Sequence, residues 1–252
     1  YDLGLVSKKE PFKKLFNQGM IQGEDGQKMS KSRGNVINPD DVVGEYGADS
    51  FRLYEMFMGP LDKSKPWNTK GLQGCYRFLQ KVWRLFNDDT KTIKEDCANE
   101  KTIRLLHQTI KKASRDLDDL RFNTVVSQLM IFINHLITLD ELDKLILQQF
   151  LILLNPFAPH ISEELNQKLG YKAIALTEWP EYDNSLIADE ECTIAVQFRG
   201  KTRGTLAVGL DADEDEVLSL VKDTAFGKKY LSEGKILKII YIKSKIINII
   251  TA

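Results

Sequence analysis

A long helical periodicity, from about Asn68 to Gly170, is the feature that most constrains how this chain folds. Apolar residues recur there three and four positions apart, which places them on one side of an α-helix. Asn155-Pro156 ends one such stretch, and Pro159 suits the first turn of the next. The pattern predicts a bundle of four or five antiparallel helices. The predicted helices cover residues 68–87, 99–120, 122–138, 140–154 and 158–169.

The sequence changes character on both sides of this region. The first part is loop-rich, with a short helix predicted after Asn38 and a second over "ADSFRLYEMFM" that ends at Gly59-Pro60. The last part has four β-rich stretches, "CTIAVQF", "TRGTLAVGL", "KILKIIYI" and "SKIINIIT", around one helix in "DADEDEVLSLVKD". The segment "EWPEYDNSLIADE" before it is predicted to be a flexible tether. The predicted fold is multi-domain and mainly α, with a loop-and-helix part over 1–60, a helical bundle over 61–180 and a small α+β unit of β-β-α-β-β order over 181–252.

Composition excludes several classes of protein. No apolar run approaches the ~20 residues of a membrane-spanning helix, so no membrane partner is expected. The three cysteines, Cys75, Cys97 and Cys192, are far apart, which argues against a disulfide framework or a zinc site and fits a reducing cytosol. With a net charge of −1 the chain is no polycation, so local basic faces would have to hold any nucleic acid. We expect a cytoplasmic protein without a structurally bound cofactor or metal.

Two predicted helices carry basic faces of this kind. There is no acidic residue between Lys63 and Arg84, and none between Lys101 and Arg115. Charged helix faces usually mix Glu with Lys, because opposite charges four residues apart stabilise a helix. An ordinary solvated surface is the alternative, but unrelieved positive charge favours a polyanion partner that contacts these residues through its phosphates. The basic residues are Lys70, Arg77, Lys81 and Arg84 on the first helix, and Lys101, Arg104, Lys111, Lys112 and Arg115 on the second.

The loop "GEDGQKMSKSRGNVINPDD" concentrates cations in a different way. Lys28, Lys31 and Arg33 lie within six positions, between glycines that permit close approach of a ligand. The two lysines, with Ser30 and Ser32, form a candidate grip for a polyphosphate. The loop is not a Walker motif, because G-x-x-x-x-G-K-[ST] is absent. A generic basic loop is the alternative.

The pentapeptide Lys28-Met29-Ser30-Lys31-Ser32 resembles the signature of class I aminoacyl-tRNA synthetases. Longer segments, among them "GPLDKSKPWNTKGLQGC", "LRFNTVVSQLMIFIN" and "LNPFAPHISEELNQKLG", are similar to the C-terminal portion of the bacterial-type leucyl enzymes. "YEMFMGP" and "PWN" favour the leucyl enzymes over the isoleucyl, valyl and methionyl ones. The tail departs from the family, which usually has Val-Asn-Gly-Lys where this chain has Phe198-Arg199-Gly200-Lys201. The departure leaves the local tRNA contact open.

The resemblance implies a reaction in which leucine and ATP, taken with Mg²⁺, form leucyl-adenylate and pyrophosphate before the leucyl group passes to tRNA(Leu). No Ser, Cys or His nucleophile is required, because the carboxylate of leucine attacks ATP. By the same resemblance Lys28 and Lys31 contact the phosphates, Ser30 and Ser32 assist, and Met29 packs near the adenine. A mobile loop of this kind can stabilise charge on the leaving pyrophosphate. The family also implies a monomer.

The resemblance names the three parts as well. Residues 1–60 would be the end of the catalytic region, 61–180 the helical anticodon-binding-type domain, and 181–252 a small C-terminal domain that reaches the outer corner of the tRNA. The basic helices would then grip the tRNA backbone. Arg121 and Asn123 either face RNA or brace a helix junction, and both possibilities stay open. Further candidate tRNA contacts are Arg199, Lys201 and Arg203.

Three alternatives remain at this point. The first is a non-catalytic tRNA-binding module, although such a binder has no use for an ATP-binding loop. A different class I enzyme, valyl or isoleucyl, is the second, and a helical scaffold for protein partners is the third. Steep loss of tRNA affinity with salt would separate an RNA binder from a scaffold.

The chain by itself is expected to be inactive. The second ATP motif of the family, His-x-Gly-His, has no match around His107, His135 or His160, so we expect a C-terminal part of a longer enzyme. An ATP–pyrophosphate exchange assay on this chain should show no leucine-dependent exchange. Robust exchange would contradict the interpretation.

Overall fold

The computed structural model describes residues 1–10, 12–187, 191–209, 212–231 and 236–251. The chain forms two compact units, Tyr1–Ile187 and Ala188–Ala252. The three parts predicted from the sequence are a finer division, which stays a prediction. Within the described ranges, every helix is too short or too polar to cross a lipid bilayer.

The first unit consists mainly of α-helices. Four of the five helices predicted for the bundle are confirmed, with ends that shift by at most two residues. The helices are α1 (Pro39–Tyr46), α2 (Ala48–Phe57), α3 (Thr69–Phe86), α4 (Glu100–Asp118), α5 (Phe122–Ile137), α6 (Lys144–Leu154) and α7 (Pro159–Lys168).

The helix predicted over 140–154 begins later than expected, at Lys144. The three residues before it form strand β4 (Glu141–Asp143), which pairs in parallel with β3 (Thr92–Lys94). The Asp143 carboxylate accepts the backbone N–H groups of Leu145 and Ile146 at 3.0 and 3.1 Å, and so caps α6. Strand pairing and this cap together fix the boundary.

Both helices predicted before the bundle are confirmed. Asn38 caps α1 by accepting the Asp40 N–H at 3.2 Å, and Pro39 is the first helical residue. Gly47, with a φ of 83°, separates α1 from α2. Asp49 of α2 also accepts the backbone N–H groups of His160 and Ile161 at 3.3 and 2.7 Å, which caps α7 from a neighbouring helix.

The apolar stripes that predicted the bundle form its core. Phe132 of α5 and Phe150 of α6 are fully buried, with ring centroids 6.0 Å apart. Burial raises the pKa of the Cys75 thiol to about 12, so Cys75 acts as a small apolar core residue. The apolar side of α3 is buried at Leu72, Cys75, Leu79, Val82 and Phe86, in line with the predicted periodicity.

A buried carboxylate joins the end of α4 to the start of α5. The Asp116 side chain is only 1% exposed and accepts hydrogen bonds from Lys112, Arg115, Arg121 and Thr124 at 2.6–3.0 Å. Burial raises the pKa of Asp116, but the hydrogen bonds from Thr124, Lys112 and Arg115 outweigh it, so the pKa lies well below its ordinary value. Asp116 therefore stays ionised and holds the turn at Leu120, whose φ is 58°.

The segment predicted to be a flexible tether is packed along α4 as far as residue 187; residues 188–190 lie outside the described ranges. The Trp179 indole N–H donates to Ser114 Oγ at 2.8 Å, and the Asp183 N–H donates to His107 Nδ1 at 3.0 Å. A short 3₁₀-helix, Asn184–Leu186, follows. The prediction of a flexible tether was wrong for residues 178–187, because polar groups of this segment form hydrogen bonds with α4.

The second unit contains a four-stranded sheet in the order β6-β5-β8-β7. β5 and β6, two of the predicted strands, form an antiparallel hairpin turned by Arg199 and Gly200 with φ of 50° and 76°. β5 pairs with β8 in parallel, and β7 with β8 in antiparallel fashion. The strands are β5 (Glu191–Phe198), β6 (Lys201–Gly209), β7 (Ile236–Ile242) and β8 (Ile246–Thr251).

One helix of this unit was missed by the sequence prediction. The predicted helix is α8 (Glu214–Asp223), and a second, α9 (Ala225–Leu231), follows it. The order of elements is therefore β-β-α-α-β-β. Val217 and Val221 of α8 are fully buried in one apolar cluster with sheet residues such as Ile194 and Ile247. The outermost predicted positions, residues 210, 211 and 235, lie outside the described ranges.

The Asp116 cluster gives a pH-dependent contribution to stability. A carboxylate whose pKa is depressed in the folded state stabilises the fold above its unfolded pKa of about 3.9, and this contribution is lost as the pH falls toward the folded pKa. We expect Asp116→Asn to lower the free energy of unfolding by about 1–3 kcal/mol at neutral pH. The difference from the wild type should shrink below about pH 4.

The control is Asp118→Asn, on the same helix but with an exposed side chain. Denaturant unfolding of both variants at neutral and at acid pH makes the comparison. A loss for Asp116→Asn that is equal at both pH values would contradict the role of the carboxylate charge.

Candidate functional site

The lysine-bearing loop connects a short strand to helix α1. Strand β1 (Ile21–Gln22) pairs in parallel with β2 (Lys65–Pro66), and an isolated bridge joins Gln22 to Lys28. Gly26 and Gly34 have φ of 71° and 66°, a left-handed conformation that glycine adopts without steric cost. The loop turns back on itself at these two glycines.

The loop is held by a side chain that the sequence analysis missed. Asn35 Oδ1 accepts the Ser30 N–H at 2.9 Å, while Asn35 Nδ2 donates to the Asp25 carboxylate at 3.1 Å and to the Lys28 carbonyl at 3.4 Å. Asp25 also accepts the Gln27 N–H at 3.0 Å. The signal that points to Asn35 is its place directly after Gly34, where the signature loop ends.

The loop is attached to the helical bundle at its base and at its middle. The Glu24 carboxylate accepts the Thr69 hydroxyl at 2.7 Å, and the Trp67 N–H donates to the Gln22 carbonyl at 2.8 Å. Met29 is half-buried and packs against the core of the first unit. The base of the loop therefore lies at the start of α3.

Lys28 and Lys31 are both exposed. Among the described residues, no carboxylate oxygen lies within 4.0 Å of either ammonium group. The Ser30 and Ser32 hydroxyl oxygens are 3.2 Å apart. The loop thus presents two cations and two hydroxyls without a neutralising partner, which is a chemistry suited to an anionic ligand.

The basic face predicted on α3 is on the surface. Lys70, Arg77, Lys81 and Arg84 are all exposed, and the Lys81 ammonium donates to Asn134 of α5 at 3.0 Å. Trp67 is buried at 5%, whereas Trp83, on the same helix as these residues, is 43% exposed. Exposed guanidinium groups suit phosphates, and an exposed indole offers a ring face for stacking.

The basic face predicted on α4 is partly paired with other side chains. Lys112 and Arg115 bond to Asp116, and the Lys111 ammonium donates to Asn184 at 3.0 Å, 5.6 Å from the Tyr182 ring centroid. The argument from unrelieved charge was wrong for Lys112 and Arg115, whereas the neutral amide of Asn184 leaves the charge of Lys111 in place. The acid that pairs with Lys112 and Arg115, Asp116, lies one position beyond the acid-free stretch. Asn184 and Tyr182, the partners of Lys111, are remote in sequence. Lys101 is exposed and Arg104 is half-buried.

The contacts of Arg121 support a bracing role. Its guanidinium donates to Asp116 at 2.9 Å and to Asp119 at 2.6 Å, and its N–H donates to the Asp116 carbonyl at 2.7 Å. Asn123 is half-buried, and its carbonyl accepts the Ser127 hydroxyl at 2.9 Å. A contact of either residue with RNA stays a prediction.

The second unit contains a basic cavity of about 260 Å³. The Arg203 guanidinium lies 5.0 Å from the Tyr230 ring centroid. The Phe198 and Tyr230 rings are stacked, with centroids 5.1 Å apart. The Arg199 side chain donates to the Thr251 carbonyl at 3.2 Å. Tyr230 was missed from the sequence because it lies on α9, the unpredicted helix. The described residues that line the cavity are Phe198, Arg199, Lys201, Arg203, Tyr230 and Thr251.

The histidines have structural partners. His135 Nε2 lies 2.9 Å from the Thr102 hydroxyl, and His160 Nδ1 lies 2.8 Å from Asp49. Burial lowers the pKa of His135. Within the described ranges, His, Cys, Asp and Glu side chains do not gather in threes around a possible metal position.

Two family models match the chain. Residues 4–65 match the tRNA synthetases of class I (I, L, M and V), and residues 99–218 match the anticodon-binding domain of tRNA ligase. The first match contains the signature loop, and the second contains α4 to α7.

Individual proteins match over the whole chain. A leucine–tRNA ligase of Leptospira biflexa is 48% identical over 100% of this chain, and one of Chlorobaculum tepidum is 47% identical over 98%. The chain spans 30% and 31% of the length of these two relatives.

A solved structure matches as well. It is the ternary complex of the Agrobacterium radiobacter K84 LeuRS with tRNA and LeuAMS, 32% identical, with a TM-score of 0.71 over 100% of this chain and 35% of that one. The resemblance first seen in the pentapeptide Lys28–Ser32 is thus confirmed over the whole sequence. The chain belongs to the leucine–tRNA ligase family of class I tRNA synthetases and corresponds to about a third of the length of its members.

Proposed function

We propose that the protein containing this chain is a leucine–tRNA ligase that activates leucine with ATP and transfers it to tRNA(Leu). The observation that carries this function is the intact signature loop, in which Lys28 and Lys31 are exposed and have no described carboxylate oxygen within 4.0 Å of their ammonium groups. The similarity to the leucine–tRNA ligases of Leptospira biflexa and Chlorobaculum tepidum supports leucine as the amino acid. A non-catalytic tRNA-binding module would not need a pair of uncompensated lysines in a shaped loop.

The chemistry of activation explains why two lysines suffice. An oxygen of the leucine carboxylate attacks the α-phosphorus of ATP, the bond from that phosphorus to the bridging oxygen breaks, and pyrophosphate leaves. Negative charge grows on the leaving group, and ammonium groups placed there stabilise the transition state more than the ground state. ATP enters with Mg²⁺ as a substrate. Ser30 and Ser32 are close enough to bind neighbouring phosphate oxygens, and Met29 keeps its proposed place near the adenine.

The tRNA surface is proposed to centre on α3. Its arginines and Trp83 are exposed, and the loop base at Thr69 adjoins the start of the same helix. The cavity of the second unit is a further proposed contact, since its arginines suit phosphates and Tyr230 suits a base. Lys111, Lys112, Arg115 and Arg121 have structural partners and are expected to contribute less.

The role of the loop lysines can be measured in the full-length protein. Lys28→Gln and Lys31→Gln should each lower the rate of leucine-dependent ATP–pyrophosphate exchange roughly 10²–10³-fold, as for loss of one transition-state contact. The control is Lys63→Gln, another exposed lysine that lies outside the loop. Exchange at the wild-type rate in the double loop variant would remove the basis of the assignment.

The tRNA surface can be tested by comparing two arginines. Arg77→Ala should weaken binding of tRNA(Leu) to the full-length protein and reduce the slope of log K against log[salt] by about 1. Arg115→Ala should change the slope less, because the Arg115 guanidinium is already paired with Asp116 at 3.0 Å. Filter binding over a series of salt concentrations gives both slopes. Equal slopes for the two variants would contradict a surface centred on α3.

A further inference from the structure

The Asn35 side chain forms hydrogen bonds with three other residues of the signature loop. Resting on the proposed function, we propose that Asn35, paired with Asp25, is a positioning residue that holds the loop so that Lys28 and Lys31 reach the phosphates of ATP. Neither residue belongs to the pentapeptide, and neither contacts a lysine side chain among the described hydrogen bonds. They act through the backbone that carries the lysines.

The contacts of Asn35 tie the two halves of the loop together. Its carbonyl oxygen accepts the Ser30 N–H at 2.9 Å, between the two lysines in sequence. Its amide nitrogen donates to both oxygens of Asp25, at 3.2 and 3.1 Å, and to the Lys28 carbonyl at 3.4 Å. One side chain therefore fixes the backbone at Lys28 and at Ser30, on either side of Met29.

The position requires an amide rather than an acid. A carboxamide supplies one acceptor and a two-proton donor, and both are used here. An aspartate at position 35 would still accept the Ser30 N–H but would place a second carboxylate against Asp25. That contact replaces a hydrogen bond with a repulsion between like charges.

The packing around this pair leaves no room for a larger neighbour. A Cβ atom on Gly23 would lie 2.7 Å from Asp25 Oδ1 and 2.8 Å from Asn35 Nδ2. Gly23 is thus a glycine because the Asn35–Asp25 pair occupies the space beside it. Hydrogen bonds from the Gln27 N–H and from Asn35 lower the pKa of Asp25, which keeps it an acceptor at neutral pH.

The hydrogen-bond pattern can be inverted, which gives a sharp test. In the double variant Asn35→Asp with Asp25→Asn, position 35 still accepts the Ser30 N–H and position 25 becomes the donor to it. The net charge of the loop is unchanged. Asn35→Asp alone should lower kcat for leucine activation in the full-length protein roughly 10–100-fold, with KM for leucine unchanged. The double variant should recover most of this loss.

A second measurement asks whether Asn35 acts through the lysines. If it does, Asn35→Asp combined with Lys28→Gln/Lys31→Gln should be little slower than Lys28→Gln/Lys31→Gln alone, because both groups that Asn35 positions are already gone. Thermal unfolding followed by circular dichroism checks that each variant is folded. Should Asn35→Asp not fold, Asn35→Ala takes its place, and the same loss in kcat is expected without an added charge.

The outcomes separate this inference from the function on which it rests. Wild-type exchange in the Lys28→Gln/Lys31→Gln variant would overturn the proposed function. Slow exchange in that variant with a wild-type kcat for Asn35→Asp and for Asn35→Ala would overturn the positioning role alone. Failure of the double inversion to recover activity, or full additivity of Asn35→Asp with Lys28→Gln/Lys31→Gln, would also overturn it.

Discussion

Two ammonium groups three positions apart repel each other, and a loop that binds phosphates has to hold both without neutralising either. The structure meets this constraint by fixing the backbone rather than the charged side chains. Glycines turn the chain, and Met29 packs against the core. Asn35 and Asp25 hold the loop through hydrogen bonds that do not involve the lysine side chains. The binding energy of the lysines is then available to an external anion, which fits a transition state that gains negative charge.

Carboxylates elsewhere in the first unit have the opposite role. Asp116 is buried and binds three cationic side chains, and Asp49 and Asp143 cap helices α7 and α6. Each of them joins elements that are apart in sequence or direction. Acidic residues thus stabilise the helical scaffold where charge has to be satisfied internally, whereas no described carboxylate oxygen lies within 4.0 Å of the two loop lysine ammonium groups. This division explains why the basic faces of α3 and α4 differ, although both look alike in sequence.

Local patterns predicted most of the elements. Periodicity gave α3, α4, α5 and α7 nearly to the residue, and capping chemistry at Asn38 and Pro39 gave α1. The errors occurred where a long-range contact decided the outcome. Residues 141–143 pair with β3 instead of starting a helix, and the segment after Trp179 packs on α4. Helix α9 is short and follows α8 directly, so its sequence is too short to show a separate helical periodicity of apolar residues.

The sequence by itself determined the chemistry of the signature loop, the class of the family and the helical nature of the bundle, because each depends on residues that are close together along the chain. Only the tertiary structure decided which cations are free. Lys112 and Arg121 are paired with Asp116, whereas Arg77 and Lys31 have no described carboxylate oxygen within 4.0 Å. Charge compensation acts through space over a few ångströms, and distance along the sequence does not report it.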